Sequence, residues 1–230
     1  MEGPNMAVLV FGSPKGGAGK STSSVILSTC LAQRGAKVCI IDTDESQACI
    51  DWKNGSNSNV AVVSARSVSA LQDEVTKQGE ANDLVVIDLE GAATRLMSHA
   101  VMLADLVLIP MRSGGQDAKR AWDMIDMVNE TETALRRRLP YKVFLTCTGE
   151  IKSRSYRKLA AEIEKKGVPR LATELYQRAP FNEIFIANKS IYEMDKSKVN
   201  GLPQAFENAD RFTDEVTEIL KSLVAGRAAA

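Results

Sequence analysis

The stretch Gly12 to Thr22, GSPKGGAGKST, follows the apolar run Ala7 to Phe11 and precedes a helical pattern of Val25, Ile26, Leu27, Leu31 and Ala32 that stops before Gly35. An apolar run, a glycine-rich break and a 3.6-residue period read as strand, loop and helix. Backbone N–H groups of Gly16, Gly17, Ala18 and Gly19 can wrap phosphate oxygens only where side chains stay out of the way, and the helix start adds favourable partial charge. Lys20 would then reach the β- and γ-phosphates of a nucleotide. Ser21 would place its hydroxyl on Mg2+, with Thr22 a second hydroxyl close by. The strict form of this motif asks for glycine at position 14, where this chain has Pro14, and a second lysine, Lys15, stands at the mouth of the loop.

Working outward, KVCII leads into Asp42, VAVV covers Val60 to Val63, LVVI leads into Asp88, LVLI ends at Pro110, and YKVFLTC runs from Tyr141 to Cys147. These runs are apolar throughout instead of alternating, as expected of strands buried on both faces. Helices are expected between them over Ser67 to Gln78, Thr94 to Leu103, Asp117 to Leu135 and Arg154 to Lys166, with a last one from about Pro203 to Val224. Strands alternating with helices imply an α/β fold, a mostly parallel twisted sheet with helices on both faces, here of the P-loop NTPase type. Ligands of such sheets bind at the carboxyl ends of the strands. The glycine loop, Asp42 to Asp44 and Asp88 all fall on that edge. One domain over residues 1–230 is expected, with a disordered tail from about 225.

The acidic sites complete the constellation. IIDTDES sets Asp42 and Asp44 one residue apart after a strand, so that both carboxylates can face one metal–phosphate centre. LVVIDLEG is a hydrophobic strand ending in Asp88, the form of a Walker B site whose carboxylate holds Mg2+. Acids at strand ends are also ordinary helix caps, and that alternative stands for either site alone.

Hydrophobic residues make up 44% and charged residues 25% of the 230, close to the globular average, which excludes disordered and fibrous classes. No apolar run approaches the ~20 residues that span a bilayer, and the N-terminus lacks a signal-peptide pattern, so a cytoplasmic protein is expected. The cysteines, Cys30, Cys39, Cys49 and Cys147, are widely spaced and read as free thiols. The net charge is zero but unevenly spread: Ile41 to Leu96 holds ten acidic residues against four basic, and Arg112 to Arg170 fourteen basic against eight acidic. An acidic catalytic edge beside a basic flank fits this distribution.

The motifs KGGAGKST, DTDES and VVIDLEG resemble those of the deviant Walker A ATPases of the ParA/MinD group, with matching order and spacing from about Val8 to Thr148. The resemblance implies an ATP- and Mg2+-dependent homodimer that sandwiches two nucleotides. It implies that Lys15 reaches across to the partner's nucleotide, that Asp44 positions or activates the attacking water, and that Asp42 lies near Mg2+ with Asp88. Glu45 and Ser46 replace the Pro-Gln that many relatives carry, and Leu89, Glu90 and Gly91 depart from the usual sequence after Walker B. The chain is thus similar to small, divergent ParA proteins that lack a helix-turn-helix domain, including VirC-like and cargo-positioning forms.

Such ATPases bind nonspecific DNA through basic residues of the C-terminal half, which directs attention to Arg136, Arg137 and Arg138, then Lys152, Arg154, Arg157, Lys158, Lys165 and Lys166. Arg154, Lys158 and Lys165 share one helical face. A solvated basic face is the plain alternative. For recognition of the base, the resemblance points to the loops after Pro110 and Cys147. The last helix has apolar Phe206, Phe212, Val216, Ile219, Leu220 and Leu223 opposite Glu207, Asp210, Asp214, Glu215 and Glu218, a face repelled by anionic lipid. It reads as a core-packing helix, and no membrane partner is expected. The implied function is a partition-type ATPase, nucleoid-associated, that positions a plasmid or protein cargo with a ParB-like or other adaptor protein. The alternatives are a MinD-like membrane switch and a small-molecule kinase or ligase on the same loop.

Overall fold

Every residue of β1 (Ala7–Phe11), β2 (Val38–Asp42) and β4 (Leu84–Asp88) is buried, the outcome that unbroken apolar runs require. The computed structural model describes residues 6–14, 16–89, 91, 94–113 and 115–228. The remaining strands are β3 (Ala61–Ser64), β5 (Leu106–Met111), β6 (Tyr141–Thr148) and β7 (Leu175–Tyr176). All pairs are parallel, in the order β3-β2-β4-β1-β5-β6-β7, so β1 is central.

Parallel strands need crossovers, and helices supply them: α1 (Lys20–Gln33), α2 (Ala48–Gly55), α3 (Val68–Ala81), α4 (Thr94–Leu103), α5 (Gly115–Leu135), α6 (Arg154–Lys165), α7 (Ala179–Ile186) and α8 (Leu202–Ala228). Alternate residues of β1 serve opposite cores. Ala7, Leu9 and Phe11 pack with α1, α2, α7 and α8 around Trp52, Phe144 and Phe212. Val8 and Val10 pack with α3, α4, α5 and α6 around Leu71, Met97 and Met124.

The long helices fall where the apolar spacing puts them, and α4 matches to the residue. The short elements α2, α7 and β7 were not expected, since eight-residue helices and a two-residue strand carry too little periodicity to stand out. The α8 helix continues to Ala228, into the stretch expected to lack order, because its alanines favour helix over coil.

The α8 helix is a core element. Ala209, Phe212 and Val216 are fully buried, and the Phe212 ring lies 5.2 Å from that of Phe144. Its polar side is tied down by Arg34, which reaches Asp210 at 2.9 Å and Asp214 at 2.6 Å. Both ion pairs are exposed, so they set the seat of the helix more than its stability. No helix among the described residues is long and apolar enough to cross a membrane.

Candidate active site

The carboxyl edge of the sheet gathers the loop and the acids. Between β1 and α1, Gly17 and Gly19 adopt φ of 79° and 98°, a region that residues with a side chain rarely occupy. Gly19 caps α1, so the amides of the loop and of the first helical turn converge on one spot. Lys20 opens the helix and is only 6% exposed, a depth that places its charge inside the site. Gly16, Gly17, Ala18, Gly19, Ser21 and Thr22 complete the arrangement. Lys15 lies outside the described residues.

Side chains from distant segments hold the loop from behind. Arg112 Nη1 donates to the Gly17 carbonyl at 3.1 Å, Arg120 Nη1 to the Pro14 carbonyl at 3.3 Å, and Thr146 Oγ1 to the Ala18 carbonyl at 2.9 Å. Sequence reasoning passed over all three residues, because nothing local marks a partner that lies 95, 106 or 128 positions away.

Register sets the two acids side by side: Asp42 on β2 pairs with Asp88 on β4, and Asp88 pairs with Phe11 at the mouth of the loop. Asp42 Oδ1 accepts the Asp44 N–H at 3.0 Å, and Oδ2 accepts those of Cys49 and Ile50 at 2.9 and 3.3 Å. Asp42 therefore caps α2 beside Asp88, the helix-cap reading that was open from sequence. Burial pushes its pKa up, against those three amide hydrogen bonds. Asp88 is wholly enclosed; burial first, then the Asp42 charge, pushes its pKa up to about 6, against hydrogen bonds from Ser21 and Cys49 and the charge of Lys20. Asp44 sits higher, half-buried, with Oδ1 accepting the Ser46 N–H at 2.8 Å.

These donors suit Mg2+. The Ser21 hydroxyl bonded to Asp88, with Asp42 beside it, makes a hard oxygen set, and Mg2+ takes only one or two carboxylates, with phosphate and water filling the rest. Accordingly, no group of three or more His, Cys, Asp or Glu among the described residues could hold a metal by itself.

The sequence profile of the VirC1 protein family matches residues 6–221, from β1 into α8. The chain belongs to that family. This VirC1-family chain is thus a P-loop ATPase of the ParA/MinD group. It is 33% identical over 223 residues to "Protein ParA" of Rhizobium radiobacter, covering 94% of this chain and all of that one. To "Maintenance of carboxysome distribution protein A" of Halothiobacillus neapolitanus it is 27% identical, covering 81% and 87%. An ATP complex of a Cyanothece McdA variant shares the fold with a TM-score of 0.75 at 16% identity, over 94% of this chain and 98% of that one.

Beside the loop, the VirC1-family chain has a pocket lined by Gly19, Thr22, Thr146, Cys147, Tyr176 and Arg178. Cys147 stands at φ 51°, which bends the chain there as β6 ends. The segment after Pro110 meets the phosphate loop through Arg112.

The basic residues singled out from sequence divide into two sets. Arg137 donates to the carbonyls of Met102 and Ala104 at 2.8 and 3.4 Å, closing the end of α4. Lys152 is held by Glu174 at 2.5 Å and lies over the Tyr156 and Tyr176 rings. Arg137 remains exposed while making these contacts, and Lys152 is partly covered by its own. Arg136, Arg138, Arg154, Arg157, Lys158 and Lys165 are exposed. None of the six has an ion pair among the described residues. Lys166 instead pairs with Glu162 at 3.7 Å and covers Trp122.

The Asp88 environment has a cost in stability. A carboxyl whose folded pKa stands above its unfolded value stabilises the fold fully below the unfolded pKa, and this contribution is lost as pH rises through about 6. At pH 7.5 the ionised group opposes folding by up to about 3 kcal/mol. Asp88→Asn is therefore expected to raise the melting temperature of the nucleotide-free protein by several degrees at pH 7.5, and less at pH 5. Calorimetry at the two pH values checks this; an equal or lower melting temperature at pH 7.5 refutes it.

Proposed function

We propose that this chain is an ATP-driven dimerising switch that binds nonspecific DNA and positions or segregates a cargo through an adaptor protein. The observation that carries the reading is the alignment of Asp42 with Asp88 at the loop's mouth, with Ser21 bonded to Asp88. In it, the loop amides and Lys20 hold the β- and γ-phosphates, and the base lies in the pocket beside Thr146 and Tyr176. Ser21, Asp88 and Asp42 hold Mg2+, which when bound offsets phosphate charge during transfer. Asp44 holds the attacking water, its second oxygen unengaged among the described residues. Lys15 acts on the nucleotide of a second copy. Hydrolysis is slow and is stimulated by a ParB-like or cargo-adaptor partner.

The names of the relatives, a ParA protein and a carboxysome distribution protein, support positioning or segregation of cargo. DNA is favoured as the surface this switch reads, since Arg154, Lys158 and Lys165 are exposed on one face of α6 and the apolar face of α8 is already occupied by the core. Such a chain would reside in the cytoplasm on the nucleoid.

Binding to random-sequence DNA is expected with ATP and absent with ADP, and to fall steeply between about 50 and 200 mM salt, values typical for counterion release on phosphate contacts. Arg154→Glu combined with Lys158→Glu is expected to weaken it at least tenfold with ATP affinity unchanged. Fluorescence anisotropy checks this. Equal binding in ATP and ADP, or a flat salt response, refutes the DNA reading, and flotation with anionic vesicles tests the membrane alternative.

A further inference from the structure

We propose that Arg112 is a positioning residue of the ATP site, holding the phosphate loop in its anion-binding form before nucleotide arrives. In a trans peptide the carbonyl of one residue and the N–H of the next point in opposite directions, and the described chain has no cis peptide bond. Drawing the Gly17 carbonyl outward onto Arg112 therefore turns the Ala18 N–H inward. The Thr146 hydroxyl on the Ala18 carbonyl does the same for the Gly19 N–H. With both glycines at positive φ, this loop has more backbone freedom than any side-chain-bearing sequence, and an unrestrained loop would lose that freedom on binding phosphate.

The second arginine points the same way. Arg120, one turn and a half into α5, takes the Pro14 carbonyl, so one segment of chain after β5 grips the loop at both its start and its middle. Arg112 is only half-buried and pairs with no carboxylate among the described residues. Its contact to Gly17 is thus its defining engagement in the fold. The inference rests on the nucleotide site proposed above and adds a residue that the motif does not contain.

The test is calorimetric titration of Mg-ATP and of Mg-ADP into the wild type, Arg112→Ala and Arg112→Lys, with steady-state turnover and thermal melts alongside. Arg112→Ala is expected to weaken ATP and ADP alike by about tenfold, the worth of one lost charge-assisted hydrogen bond. Its KM should rise with kcat held within about threefold, since the loop is formed once nucleotide saturates it. Arg112→Lys, which keeps a donor of similar reach, should restore most of the affinity. Unchanged affinity in Arg112→Ala overturns the proposal. A loss confined to ATP overturns it too, because it would put the guanidinium on the γ-phosphate directly. Absence of binding by the wild type would overturn the nucleotide site itself, and this proposal with it.

Discussion

Asp44→Ala is expected to bind ATP within about twofold of the wild type and to lose turnover by a factor of about 10² to 10⁴, the range for removing a group that orients or deprotonates the attacking nucleophile. The asymmetry follows from placement. Asp44 stands clear of the loop, its own N–H bonded to Asp42 Oδ1 at 3.0 Å and its Oδ1 fixed by the Ser46 N–H at 2.8 Å. Those two bonds set the direction of the carboxylate without any contribution from the phosphate-binding amides. Lys20→Ala should show the converse, with affinity lost, because in the proposed site its buried charge meets the phosphates. Titration calorimetry with single-turnover hydrolysis separates the two outcomes. Loss of ATP affinity in Asp44→Ala with turnover retained would refute these roles.

Lys15→Ala is expected to bind ATP as a monomer yet lose both hydrolysis and ATP-dependent DNA binding. In the proposed dimer Lys20 serves the phosphates of its own subunit, and two nucleotides brought face to face would concentrate like charge that a cation supplied from across the interface can offset. Mixing makes this decisive. In a heterodimer of Lys15→Ala with Asp44→Ala, one site joins an intact Asp44 to the partner's intact lysine, and the other lacks both groups. Each heterodimer carries one complete site of its two, so turnover should recover in part, to no more than about half the wild-type rate even where every dimer is mixed. No recovery, with heterodimers demonstrated by mass spectrometry, would return Lys15 to its own subunit.

Much of this arrangement was legible in the sequence, for identifiable reasons. The loop, Lys20, Ser21 and Asp88 sit in local patterns, and the unbroken apolar runs before Gly12, Asp42 and Asp88 already implied a sheet buried on both faces. That Asp42 could cap a helix was open from its place at a strand end, but which helix it caps was hidden, because α2 is eight residues long and begins six positions after the aspartate. The grips of Arg112, Arg120 and Thr146 on the loop were hidden as well, since they depend on which strands neighbour β1. Charge alone could not separate Arg154 from Lys152. What distinguishes them is Glu174, twenty-two positions from Lys152, and two tyrosine rings.

The neighbouring carboxylates Asp42 and Asp88 differ in what each does for the fold. Any neutral replacement of Asp42 removes an acceptor from the amides of Asp44, Cys49 and Ile50, at about 1 to 3 kcal/mol for each one left without a partner. Asp88 accepts no backbone amide among those hydrogen bonds; its side-chain partners are Ser21, Ser24 and Cys49, and folding alone disfavours its charge. A lineage released from the need to hydrolyse ATP would accordingly shed the acid of β4 early and keep the acid of β2. In such degenerate descendants, a surviving aspartate at the end of the second strand would testify to an intact fold and say nothing of a working enzyme.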